Sequence, residues 1–227
     1  MSTTLQTIEV HPAGEAAASV IVLHGLGADG TDFLPFADEI DLAAVGPVRW
    51  LLPRAPVRPV TVNNGYRMRA WYDIFQFGGQ ATNVREDEAG LRESFAAVHA
   101  LIDREVARGV PAHRIVLGGF SQGCAVTLAA GLRYRERLAG LVGMSGYLPL
   151  ASTTAAERRD ANALTPLFLA HGQRDGVIDI GRGTATRDAL KAMGMAVEWH
   201  EYPMEHSVSP DEVADLKRFL LRVLATK

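Results

Sequence analysis

The chain has 227 residues, 48% of them apolar and 22% charged, with a formal net charge of −3 and one cysteine. That charge offers no electrostatic basis for binding nucleic acid or an anionic membrane, and the lone Cys124 excludes an internal disulfide. No apolar run reaches about 18 residues, and Met1–Thr7 lacks the basic and apolar regions of a secretory signal, so the expectation is a cytoplasmic protein with no stable membrane insertion.

In chain order, residues 5–11 alternate weakly and read as an edge strand. Ala18–His24 is a buried strand rich in β-branched residues. It runs into the glycine loop Gly25-Leu26-Gly27-Ala28-Asp29-Gly30, after which Thr31 is placed to cap a helix carrying Phe33, Leu34 and Ala37. Val48–Leu52 forms a third strand, stopped by Pro53 and Pro56. Residues 53–82 read as a long irregular segment, the kind of loop that usually serves function. Residues 84–108 give the strongest helix, with Leu91, Phe95, Val98 and Ile102 at helical spacing and Glu86-Asp87-Glu88 at its positive end. Strands follow at 114–120, 138–145, 166–171 and 196–202, with helices after Ser121, at 182–193 and at 210–224; residues 150–163 read as a polar excursion. Strands alternating with helices predict a mostly parallel central sheet with helices on both faces, in one α/β domain spanning 1–227.

The stretch Gly119-Phe120-Ser121-Gln122-Gly123 carries the chemistry. An apolar strand that passes at once into a helix forces a tight turn, and glycines on either side let strand and helix approach without a Cβ clash. Ser121 then sits at the apex of a nucleophile elbow. Neutral serine needs a histidine to take its proton and a carboxylate to orient that histidine. Asp175 falls in the loop after the strand ending at His171, and His206 in the loop after the strand ending near Tyr202. The order Ser, Asp, His is the one this sheet architecture uses. Asp179 competes for the acid role, but the shorter loop restricts Asp175 more. His24 and His171, ending strands before glycines, read as loop-orienting or packing residues.

Gly25-x-Gly27-x-x-Gly30 also matches a dinucleotide fingerprint, which would make the protein a nucleotide-dependent oxidoreductase. Asp29 opposes that reading by bringing negative charge to a pyrophosphate. So does the next strand, which ends at Arg54 rather than an acidic residue, and the fingerprint leaves the elbow unexplained.

His24-Gly25-Leu26-Gly27-Ala28-Asp29-Gly30, Leu52-Pro53-Arg54-Ala55-Pro56, Arg58-Pro59-Val60-Thr61, Ala70-Trp71-Tyr72-Asp73-Ile74, Gly119–Gly123, His171-Gly172-x-x-Asp175 and Met204-x-His206-Ser207 recur in this order. The ordered set resembles the carboxylesterase/acyl-protein thioesterase family of α/β-hydrolases over essentially the whole chain. The resemblance implies an α/β-hydrolase fold with no cap domain, Ser121, Asp175 and His206 as the triad, and the Leu26 and Gln122 backbone N–H groups as oxyanion donors. Cys124 stands where a further glycine is usual, and Asp179 where proline is common.

The expected activity is serine carboxylesterase chemistry through an acyl-enzyme, on carboxylic esters of short-to-medium acyl chains, with thioesters as a further substrate class. Acyl-protein thioesterase or lysophospholipase activity on the same triad is the alternative. Neither a cofactor nor a metal is expected. The expected partners are small-molecule esters or thioesters, or an acylated protein, and the resemblance admits a homodimer. The aromatics of 53–82, Trp71 and Phe75 foremost, together with Tyr72, Ile74 and Phe77, are expected to flank Ser121 in a shallow apolar groove.

Overall fold

A computed structural model describes residues 4–76 and 85–225. Its main sheet has seven strands in the order β1-β3-β2-β6-β7-β8-β9. They are β1 (Thr7–Val10), β2 (Ala18–Leu23), β3 (Val48–Pro53), β6 (Ile115–Phe120), β7 (Gly140–Met144), β8 (Leu167–Gly172) and β9 (Val197–Tyr202). Only the edge strand β1 runs antiparallel to its neighbour; the other pairs are parallel.

Alternation along the strands divides the core into two layers. Ile21 and Leu23 of β2 point to one face, which is covered by α2 (Glu88–Ala107), α3 (Gln122–Arg133) and α5 (Ile180–Ala192). Val20 and Val22 point to the other, covered by α1 (Leu34–Glu39) and α6 (Pro210–Val223). Leu91, Phe95, Val98 and Ile102 form the buried stripe of α2, whose first turn is capped by Asp87 accepting from the Gly90 N–H. The register pairs Leu23 with Gly119, Phe120 with Met144 and Gly172 with Tyr202. The C-terminal ends of β2, β6, β7, β8 and β9 therefore lie along one edge, and the loops that follow them converge there.

Three local expectations are corrected. Residues 57–69 form a hairpin, β4 (Val57–Val60) with β5 (Tyr66–Arg69), in a separate two-stranded sheet rather than an irregular loop. Asn64 and Gly65 supply the left-handed backbone its turn needs, with φ of 54° and 73°. Residues 151–157 of the polar excursion form a short helix, α4 (Ala151–Glu157). The helix after the glycine loop begins as a 3-10 turn at Thr31–Phe33 with Gly30 at its cap, while the Thr31 N–H and hydroxyl both donate to the Asp29 carboxylate. Among the described residues, no helix is long and apolar enough to cross a membrane.

Candidate functional site

Ser121 joins β6 to α3 with φ 56° and ψ −118°, a conformation few non-glycine residues hold. The flanking glycines explain how the turn closes. A Cβ on Gly119 would lie 2.4 Å from the Gly123 carbonyl, and one on Gly123 would lie 2.2 Å from the Leu23 oxygen, so only glycine fits at either position. The Ser121 N–H donates to the Met144 carbonyl at 2.9 Å, which pins the apex to β7.

The β8 and β9 loops are drawn together by Gln173 N–H to Tyr202 O and Arg174 N–H to Met204 O, at 2.8 and 3.0 Å. Gly172 permits that approach, since a Cβ there would stand 2.3 Å from the Glu205 oxygen. His206 is thereby placed between Ser121 and Asp175. Its Nε2 is 2.9 Å from the Ser121 hydroxyl, and its Nδ1 is 2.7 Å from Asp175 Oδ2. The other Asp175 oxygen accepts from the Val177 and Ile178 N–H groups at 2.9 and 2.8 Å. The carboxylate is wholly shielded from solvent, so these donors replace water around its charge. The Phe120 ring lies against the imidazole, 4.7 Å between centroids.

Asp179, the competing acid, instead caps α5 by accepting from the Gly181 N–H. His171 and His24 hold loops, as read from the sequence. The His171 Nε2–H donates to Ile178 O at 2.8 Å, beside Asp175, and burial lowers its pKa. His24 donates through Nδ1 to Gly25 O and accepts from the Ala55 N–H on Nε2. That fixes its neutral tautomer, and burial pushes its pKa down.

The glycine loop lies against the elbow, for a Cβ on Gly25 would be 3.3 Å from the Ser121 Cβ. Gly27 N–H donates to Arg69 O of the hairpin, and Ala28 N–H turns back to Gly25 O. Between them, the Leu26 N–H has no backbone acceptor among the described residues. Gln122 is the first residue of α3, so its N–H has no intrahelical acceptor either. Its side chain performs a task the sequence did not reveal. Oε1 accepts from the Trp71 N–H and Nε2 donates to the Tyr72 carbonyl, both at 2.8 Å, clamping the segment after β5 onto the elbow.

A cavity of about 570 Å³ opens over Ser121 and His206. Its apolar lining includes Phe33, Phe36, Phe120, Val208, Ile74 and Phe75, with Tyr72, Tyr147 and Ile178. Phe75 and Ile74 thus stand where expected. Trp71 does not: its ring is wholly buried, its indole N–H donates to His24 O, and it does not reach the cavity. Phe77 lies outside the described residues.

Strand order, elbow and the convergence of loops at one sheet edge are those of the α/β-hydrolase fold, and the protein is a serine hydrolase. The chain belongs to the phospholipase/carboxylesterase family, whose model matches residues 6–224. Acyl-protein thioesterase 1 of Yarrowia lipolytica is 41% identical over 207 residues, covering 89% of this chain and 90% of that protein. The crystal structure of Arabidopsis thaliana SOBER1 superimposes with a TM-score of 0.86 at 32% identity, covering 91% of this chain and 99% of that one. Zea mays acyl-protein thioesterase 2 gives a TM-score of 0.84 at 30% identity, covering 97% and 99%.

Proposed function

We propose that this protein is an acyl-thioester hydrolase of the acyl-protein thioesterase type, with ester hydrolysis as a second activity of the same site. The observation that carries the reading is the hydrogen-bonded chain Ser121–His206–Asp175, with Nε2 2.9 Å from the hydroxyl and Nδ1 2.7 Å from the carboxylate, opening onto a largely apolar cavity. Relatives named acyl-protein thioesterase favour it over the short-to-medium-chain carboxylesterase expected from the sequence. The cavity volume supports it too, because a short acyl chain would leave most of that space unfilled.

In this reading Ser121 attacks the thioester carbonyl while His206 Nε2 takes its proton. Asp175 stabilises the imidazolium and holds the imidazole in the tautomer with hydrogen on Nδ1. The Leu26 and Gln122 N–H groups receive the oxyanion, helped by the positive end of α3. His206 then protonates the departing thiolate, and water, activated by the same imidazole, releases the acid and restores Ser121. Residues 1–227 act as a single domain, without cofactor or metal, on cytoplasmic thioesters that include acylated proteins.

The test is a matched set of octanoyl and palmitoyl thioesters and p-nitrophenyl esters, with fluorophosphonate labelling of the protein. The reading expects labelling at Ser121 and a kcat/KM for thioesters at least equal to that for the matched esters. Ester turnover without thioester turnover would return the protein to the carboxylesterase reading.

A further inference from the structure

Arg182, on the first turn of α5, contributes a guanidinium to the wall of the cavity. It lies 3.5 Å from the centre of the Tyr147 ring, and that ring is itself held by a hydrogen bond of 2.8 Å between the Tyr147 and Tyr72 hydroxyls. Stacking on an aromatic face leaves the planar edge of the guanidinium, with its N–H donors, turned away from the ring. Among the described residues Arg182 makes no ion pair, and its side chain donates no hydrogen bond. Between Gln76 and Arg85, which both line the cavity, residues 77–84 contain no Asp or Glu.

Three of the four carboxylates that line the cavity are otherwise engaged. Asp73 accepts from the Thr61 N–H and hydroxyl, and Asp87 from the Gly90 and Asp73 N–H groups. Glu86 accepts from the Leu150 N–H; burial raises its pKa, and Arg182 attracts its charge without contact. Asp32, the fourth, forms no ion pair with Arg182. A second guanidinium, Arg85, sits over the Phe75 ring at 4.5 Å and borders the same space. A half-buried arginine in a substrate cavity, whose donors meet no acceptor among the described residues, has the chemistry of a receptor for a planar oxyanion.

We propose that Arg182 is a specificity determinant that selects substrates carrying a carboxylate, at the far end of the acyl chain or on the thiol leaving group. This deepens the thioesterase reading and rests on the same site. Four thioesters separate the two sources. They are octanoyl-N-acetylcysteamine, the half-thioester of suberic acid with N-acetylcysteamine, the octanoyl thioester of 3-mercaptopropionate, and octanoylthiocholine as the cationic counterpart, whose quaternary nitrogen cannot take the acyl group. Each is measured with wild type, Arg182→Leu and Arg182→Lys.

The expected result is a kcat/KM for one carboxylate substrate that exceeds the neutral one in wild type, with that ratio falling about tenfold in Arg182→Leu and partly kept in Arg182→Lys. The substrate that responds identifies which end of the molecule Arg182 reads. A ratio unchanged by Arg182→Leu for both carboxylate substrates, or a wild-type preference for the cationic one, overturns the proposal. Should none of the thioesters be hydrolysed, the thioesterase reading fails. Calorimetric binding of monomethyl suberate and dimethyl suberate to Ser121→Ala and Ser121→Ala/Arg182→Leu then decides the Arg182 proposal. It predicts that the added leucine weakens the monoester about tenfold relative to the diester, and equal weakening of both overturns it.

Discussion

Replacing Glu212 with glutamine should make the protein more resistant to unfolding at alkaline pH. Glu212 is in the first turn of α6, where its N–H donates to the capping Ser209 hydroxyl at 3.2 Å. The Ser-x-x-Glu spacing is that of a capping box, in which the glutamate would reach back to the cap's own N–H. Here the side chain is fully buried, and neither oxygen completes a hydrogen bond among the described residues. Burial pushes its pKa from 4.5 up to about 8, against a weaker pull from the Ser209 N–H. Between those two values the unfolded chain has released the proton and the folded chain still holds it, so stability falls as pH rises through this window. Each pH unit costs about 1.4 kcal/mol, which sets a ceiling of about 5 kcal/mol. Water reaching the carboxylate in the folded state would lower that figure. Above about pH 8 both states are ionised and the loss stops growing. Glutamine keeps the shape and does not titrate. Urea unfolding of wild type and Glu212→Gln from pH 5 to 9 should give two curves that diverge, the variant gaining several kcal/mol relative to wild type by pH 8. Parallel curves would refute the reasoning, because they would mean that Glu212 ionises in the folded protein as freely as in the unfolded one.

Asp175→Asn should lower turnover by a factor on the order of 10⁴ by leaving His206 in the wrong tautomer. Asp179→Asn, which retains a good helix cap, should stay near wild type; steady-state kinetics on both variants checks the assignment. Gly123→Ala should destabilise the fold by about 2 kcal/mol or more, since its Cβ would meet the Leu23 carbonyl oxygen at 2.2 Å. A melting temperature lowered by several degrees would register that cost.

The main sheet was legible because its strands are apolar runs of a few residues closed by glycine or proline, as in Ala18–Leu23 before Gly25. The elbow was legible because Gly119 and Gly123 flank a serine at a strand-to-helix junction. The hairpin β4–β5 was not read, although Asn64-Gly65 marks its turn. Its strands have only four residues each, Pro59 interrupts one, and side chains such as Val57 and Tyr66 stay exposed. No alternation survives there to signal a strand. Helix α4 escaped for a related reason, since Thr154 is its only buried residue and no apolar stripe forms. Trp71 misled because a large aromatic in a loop after a strand suits a substrate wall and a buried anchor equally well. Only the hydrogen bond from its indole to His24 O distinguishes the two. The Gln122 clamp and the stacking of Arg182 on Tyr147 depend on side-chain directions across long sequence separations, which spacing does not encode.

Hydrolysis of an octanoyl thioester by purified wild type and Ser121→Ala, with circular dichroism on both, tests the central claim most directly. The account predicts an unchanged spectrum and a loss of turnover on the order of 10⁶, leaving only the background reaction. A folded Ser121→Ala protein that keeps more than a few per cent of wild-type turnover would contradict it, and the acyl group would have to be transferred to some other nucleophile.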